Sequence, residues 1–129
     1  MKVMIVDDNA QMRAFIRSLL KEVASEFVEC ADGREAVVVY ETERPDWVVM
    51  DVTMGGIDGI TATRLITSRF PGSRIMIITQ HNNPKLRERA HEAGAAGFLP
   101  KENLIELRSA FGVHAAESDD PKEHALTHS

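Results

Sequence analysis

Three carboxylates, a hydroxyl and an ammonium group stand out in this 129-residue chain: Asp7, Asp8, Asp51, Thr79 and Lys101. Each lies at, or just past, the end of a short apolar run: residues 3–6, 47–50, 75–79 and 96–99. Carboxylates held within a few ångströms of one another repel, and at least one pKa rises unless a cation joins them. A hard divalent cation with oxygen ligands resolves that conflict. Mg²⁺ suits it, because Mg²⁺ takes one or two carboxylates plus a phosphate oxygen and keeps several waters. A carboxylate left free can attack phosphorus and form an acyl phosphate. Charge developing on the transferring phosphoryl oxygens calls for donors or cations. Lys101 offers a point charge and Thr79 a hydroxyl.

For these side chains to meet, the elements that carry them must end on one edge. Apolar runs at 3–6, 27–31, 47–50, 75–79 and 96–99 alternate with amphipathic stretches. Three of the runs are nearly continuous in Val, Ile and Met, as in strands buried on both faces of a parallel sheet. Between them, Met12, Phe15, Ile16, Leu19, Leu20 and Val23 recur at three- and four-residue spacing and predict a helix over about 9–24. Asp32 with Glu35 reads as a capping box opening a helix to about Glu43, with Pro45 just beyond it. Asp58 is a second N-cap, with Ala62, Leu65, Ile66 and Arg69 on one face. Asn83-Pro84 reads as an N-cap and first helical residue of a helix ending near Gly94. A last helix is expected from about Asn103, with Leu104, Leu107 and Phe111 inward.

Five strand-then-helix units imply right-handed crossovers and a covered parallel sheet. The fold expected is an α/β doubly wound five-stranded parallel sheet, flavodoxin-like (βα)5, with strand order 2-1-3-4-5. Ligands of such sheets bind beyond the carboxyl ends of the strands. Strands 1 and 3 are neighbours in that order, so Asp7, Asp8 and Asp51 converge, flanked by Thr79 and Lys101. One domain is expected over 1–116. A flexible polar tail or linker is expected over 117–129, where the periodicity stops.

The totals agree with a soluble domain: 43% hydrophobic, 27% charged and a net charge of −5. That charge argues against a broad nucleic-acid-binding surface. The single cysteine, Cys30, allows no intrachain disulfide and reads as a small buried hydrophobe in a reducing compartment. The first apolar run is too short for a signal-peptide core or a membrane span, so a cytoplasmic location is expected.

These residues resemble the receiver domains of bacterial two-component response regulators, over nearly the whole chain. Asp7 and Asp8 match the acidic pair after strand 1. Asp51, in the run DVTMGGIDG, matches the phospho-accepting aspartate. Thr79 matches the hydroxyl residue ending strand 4, and Lys101, 22 positions later, the lysine after strand 5. Phe98 holds the place of the aromatic switch residue. The resemblance implies Mg²⁺ held by Asp7, Asp8, Asp51 and the backbone carbonyl of Thr53. It implies Asp51 phosphorylation by a sensor histidine kinase or phosphotransfer protein, assisted by Lys101 and Thr79. Thr79 and Phe98 would then switch an output face on helix 4, strand 5 and helix 5, read by a downstream protein or by a second copy. Neither direct nucleic-acid contact nor membrane contact is implied, and no enzyme beyond self-catalysed phosphoryl transfer and slow autodephosphorylation. The chain is similar both to chemotaxis-type single-domain regulators and, in FLPKENL, to receivers attached to LuxR-type DNA-binding domains.

The sequence departs from the common pattern in places. Met54 is followed by Gly55-Gly56 instead of proline, which loosens the loop carrying Thr53. Gln80 replaces a small residue and is expected to narrow the pocket. Pro100 precedes Lys101, and Glu102 follows it. Other functions fit these residues less well. A haloacid-dehalogenase-type phosphatase wants a second Asp two positions after the nucleophile, where Thr53 stands. A nucleotide or flavin module wants a glycine-rich phosphate loop after strand 1, where two aspartates stand. A receiver-like interaction module that signals without phosphate keeps the same fold. Trp47 reads as core, His81 as a surface-loop histidine near the pocket mouth, and Lys85, Arg87, Glu88, Arg89 and Glu92 as a solvated helix face.

Overall fold

The apolar runs become strands: Lys2–Val6 (β1), Glu26–Cys30 (β2), Trp47–Asp51 (β3), Ile75–Thr79 (β4) and Gly97–Pro100 (β5). The computed structural model describes residues 1–54 and 57–119. Every residue of β3 and β4 is buried, as runs with no polar alternation require. The sheet is all-parallel in the order β2-β1-β3-β4-β5. Among the described residues, four α-helices connect the strands and a fifth follows β5: Ala10–Leu20 (α1), Gly33–Glu43 (α2), Gly59–Arg69 (α3), Pro84–Glu92 (α4) and Glu106–Asp119 (α5). This is the doubly wound architecture expected from the alternation.

Strand residues alternate between faces, so the sheet divides two cores. Val3, Ile5, Val49 and Ile78 pack with Ile16 and Leu20 of α1 and Leu107 and Phe111 of α5. Met4, Val48, Met50, Ile75 and Ile77 pack with residues of α2, α3 and α4, among them Tyr40, Ile66 and Ala90. Trp47 is core, its ring stacked on Phe111 at 4.5 Å between centroids. Cys30 is buried, and burial pushes its thiol up to about 12, which keeps it unreactive. No helix among the described residues is long and apolar enough to cross a membrane.

Side-chain caps set where the helices begin. Asn9 accepts from the N–H groups of Gln11 and Met12, Asp32 from Glu35, Asp58 from Thr61 and Asn83 from Leu86. Glu35 returns the bond one residue early, accepting from the Ala31 N–H. Asn83→Ala should therefore lower stability by about 1 kcal/mol. A urea midpoint equal to that of the native chain would show the cap to be idle. Gly94, with φ +93°, lies just past the end of α4 in the left-handed region that favours glycine.

Three expectations are corrected. The first helix stops at Leu20, short of residue 24, and a closing turn follows in which the Leu20 carbonyl accepts from the N–H groups of both Val23 and Ala24 ahead of β2. Phe15 and Leu65, which the spacing groups with the buried Ile16 and Ile66, are 49% and 42% exposed. Their neighbours Ile16 and Ile66 take the inward positions, and a residue one step away lies about 100° round the helix. The last helix starts at Glu106, after a 3₁₀ turn over Lys101–Asn103. α5 runs to Asp119, and the rest of the expected tail, residues 120–129, lies outside the described residues.

Candidate metal and phosphoryl site

A parallel sheet puts all strand C-termini on one edge, and the candidate residues gather there. Asp7 follows β1, Asp51 ends β3, Thr79 ends β4 and Lys101 follows β5. Asp7 and Asp51 are 1% and 3% exposed, Thr79 is buried, and Asp8 is exposed. One carboxylate oxygen from each of Asp7, Asp8 and Asp51 lies within 4.8 Å of the others. Among the described residues this is the one such group of potential metal ligands.

Lys101 bridges the two buried carboxylates. Its Nζ lies 3.1 Å from Asp7 Oδ2 and 3.1 Å from Asp51 Oδ1. Asp7 is held on every side: Oδ1 accepts from the Asn9 N–H at 2.9 Å, and its own N–H donates to the Cys30 carbonyl. Its carbonyl accepts from Arg13 Nη1 at 2.7 Å. Arg13 is in turn paired with Glu29, which also binds Arg17. Thr79 Oγ1 accepts from the His81 N–H at 3.0 Å.

The electrostatics follow from this crowding. Burial, then the Asp7 charge, raise the Asp51 carboxyl to about 6 from an ordinary 3.8, and Lys101 only partly opposes them. Burial would lower the Lys101 ammonium, yet Asp51 and Asp7 outweigh it and hold its pKa above the usual value. One ammonium thus leaves the acidic cluster under-compensated. An all-oxygen donor set in that condition fits a hard divalent cation.

The cluster opens into a cleft of about 210 Å³, which Asn9, Thr53, Gln80 and His81 also line. Thr53 and Gln80 are exposed at its wall, and Gly55 and Gly56 lie outside the described residues. Phe98 is half-buried in β5, opposite Ile77 in the register, and so shares a sheet face with Thr79. Its ring lies under the Arg87 guanidinium, 4.6 Å from centroid to carbon.

Three contributors were missed in the sequence. Asn9 was read only as a helix start, although its place directly after Asp8 puts it at the cleft. Arg13 carries no local signal, since its bond to the Asp7 carbonyl exists only once α1 packs beside β1. Gly59 lies against the Asp51 carbonyl, and its signal was a glycine directly after the Asp58 cap.

The family model for the response regulator receiver domain matches residues 3–111. The response regulator UvrY of Escherichia coli (strain K12) is 35% identical over 133 residues, covering 97% of this chain and 61% of UvrY. The chain therefore spans about three fifths of that relative. Among solved structures, a LuxR-family two-component response regulator from Aurantimonas sp. SI85-9A1 superposes with a TM-score of 0.79 at 34% identity. It covers 98% of this chain and 96% of that one. The CheX–CheY–BeF3–Mg+2 complex from Borrelia burgdorferi matches with a TM-score of 0.77 at 27% identity, covering 85% of this chain and 88% of that one.

Proposed function

The chain belongs to the response regulator receiver domain family, and we propose that it works by accepting a phosphoryl group on Asp51. The donor is a sensor histidine kinase, a phosphotransfer protein or a small acyl phosphate. The observation that carries this reading is the meeting of Asp7, Asp8 and Asp51 around Lys101 at the sheet edge. Asp7, Asp8, Asp51 and the Thr53 carbonyl would hold Mg²⁺, which when bound neutralises the carboxylates and the phosphoryl oxygens.

An Asp51 carboxylate oxygen attacks phosphorus, the bond from phosphorus to the donor breaks, and an acyl phosphate remains. Lys101 then turns from Asp51 to the new phosphate, while Asp7 keeps it at the edge of the sheet. Thr79 donates its hydroxyl to a phosphate oxygen, which takes it away from the His81 N–H. Phe98 turns inward on the same face. The α4–β5–α5 surface changes shape, and a downstream protein or a second copy reads it. Water positioned at the same site hydrolyses the acyl phosphate slowly. In this reading the domain acts in the cytoplasm and touches neither nucleic acid nor membrane.

The test is intact mass after incubation with acetyl phosphate and Mg²⁺. The native chain should gain one phosphoryl group, Asp51→Asn none, and neither should gain without Mg²⁺. No gain, together with no binding of beryllium trifluoride, would turn the assignment to a receiver-like module that signals without phosphate.

A further inference from the structure

We infer that Arg87 is a positioning residue that latches Phe98 in the resting state and so sets how readily the domain switches; this rests on the phospho-acceptor reading. Phe98 lies at the meeting of three elements that must move together. It sits on β5, Arg87 reaches over it from α4, and Arg87 Nη2 donates to Asn82 Oδ1 at 3.4 Å. Asn82 lies three positions after Thr79. One guanidinium thus ties the switch ring to the loop that follows the switch hydroxyl.

The guanidinium covers one face of the ring. Beside Phe98 lies an open groove of about 640 Å³, bordered by Ala90, His91, Ala95, Ala96 and Gly97. Ala95, Ala96 and Gly97, on the strand side of that groove, are small, while Pro84, Glu88 and His91 border it from α4. A cation within about 6 Å of an aromatic face is attracted by the ring's quadrupole, and arginine does this most often. At 4.6 Å the contact is well inside that range.

The contact belongs to one state only. Once Phe98 turns inward beside Thr79, its face leaves the guanidinium. An interaction made in the resting state alone shifts the equilibrium toward that state. It weakens the apparent affinity for any ligand that needs the other state. Arg87 touches no reacting atom and acts through Phe98.

The experiment measures beryllium trifluoride affinity in the presence of Mg²⁺ for the native chain, Arg87→Gln and Arg87→Lys. Each is made with and without Phe98→Leu, which keeps an apolar side chain and removes the aromatic face. Arg87→Gln should tighten binding by about two- to five-fold, the size of an exposed cation–π contact. Arg87→Lys should restore most of the native value, and Arg87→Gln should have no effect in the Phe98→Leu background. Unchanged affinity overturns the latch. So does an equal gain in both backgrounds, which would mark a simple charge effect on the bound anion. Ring 1H–13C spectra of the metal-free chain provide a readout without any phosphoryl analogue. The Phe98 signals should move in Arg87→Gln and stay near native in Arg87→Lys. If the native chain neither binds the trifluoride nor gains a phosphoryl group from acetyl phosphate, the phospho-acceptor reading fails and takes the latch with it. Ring signals unmoved by Arg87→Gln overturn the latch on their own.

Discussion

Gly59→Ala should destabilise the chain by about 3 kcal/mol and slow phosphoryl uptake on Asp51 about a hundredfold. Gly59 opens α3, directly after the Asp58 cap, and its N–H donates to the Val52 carbonyl at 3.0 Å. A Cβ there would fall 2.0 Å from the Asp51 carbonyl oxygen and 2.8 Å from its carbonyl carbon. Both are backbone atoms of the innermost strand, so no side-chain rotation relieves the clash. Either α3 slides away from β3, which opens the core around Ile60 and Ile66, or the Asp51 peptide tilts. Stability is lost in the first case, and the aim of the acceptor carboxylate in the second. Displacements near 1 Å at a reacting group cost about two orders of magnitude in rate. Gly112→Ala is the control, because its Cβ would meet only Val23 Cγ1 at 3.6 Å, an ordinary contact. Alanine there should be neutral or better by up to about 1 kcal/mol, the usual gain over glycine inside a helix. Urea midpoints for both variants, with acetyl phosphate uptake rates, decide it. A Gly59→Ala midpoint matching the native one would mean that the helix and strand do not approach this closely.

Asp51→Asn should stabilise the metal-free chain by about 2 kcal/mol at pH 8, and by little at pH 4. The sign follows from the raised pKa. Asp51 titrates near 6 in the folded chain, against an ordinary 3.8, chiefly through burial and the Asp7 charge. A carboxyl raised on folding is happiest protonated. Its favourable contribution is complete below about 3.8 and is lost as the pH rises through 6. Above that, folding must hold an ionised Asp51 beside ionised Asp7, with one shared ammonium between them. Asparagine removes the charge and leaves Lys101 to pair with Asp7. The melting temperature without Mg²⁺ should therefore rise by several degrees at pH 8, with the difference closing toward pH 4. Mg²⁺ should narrow the gap at pH 8, because it binds the native cluster more tightly and stabilises what it binds. A melting temperature for Asp51→Asn at or below native at pH 8, or a gain independent of pH, would contradict the crowding.

Much of this protein could be read from local patterns. Continuous apolar runs mark strands buried on both faces, since a strand with one wet face would alternate. Polar residues with a short oxygen-bearing side chain, at Asn9, Asp32, Asp58 and Asn83, mark helix starts because orphan N–H groups need acceptors there. Strand–helix alternation then implies a parallel sheet. A parallel sheet delivers every strand end to the same edge, which is why Asp7, Asp51, Thr79 and Lys101 could be grouped before any distance was known. Periods and caps say less about where a helix stops or how far round its inward stripe extends. Phe15 and Leu65 lie just off that stripe, and α1 ends early, at the turn ahead of β2. Distances belong wholly to the tertiary structure. Packing α1 beside β1 brings Arg13 to the Asp7 carbonyl. The register of β5 against β4 sets Phe98 on the face of Thr79, and the seating of α4 puts Arg87 over its ring. The approach of α3 to β3 leaves room only for hydrogen at Gly59. Residue type and order determined which groups stand at the strand ends. Only packing decided which of them touch, because contact depends on how whole elements seat against one another, and short-range pattern does not encode that.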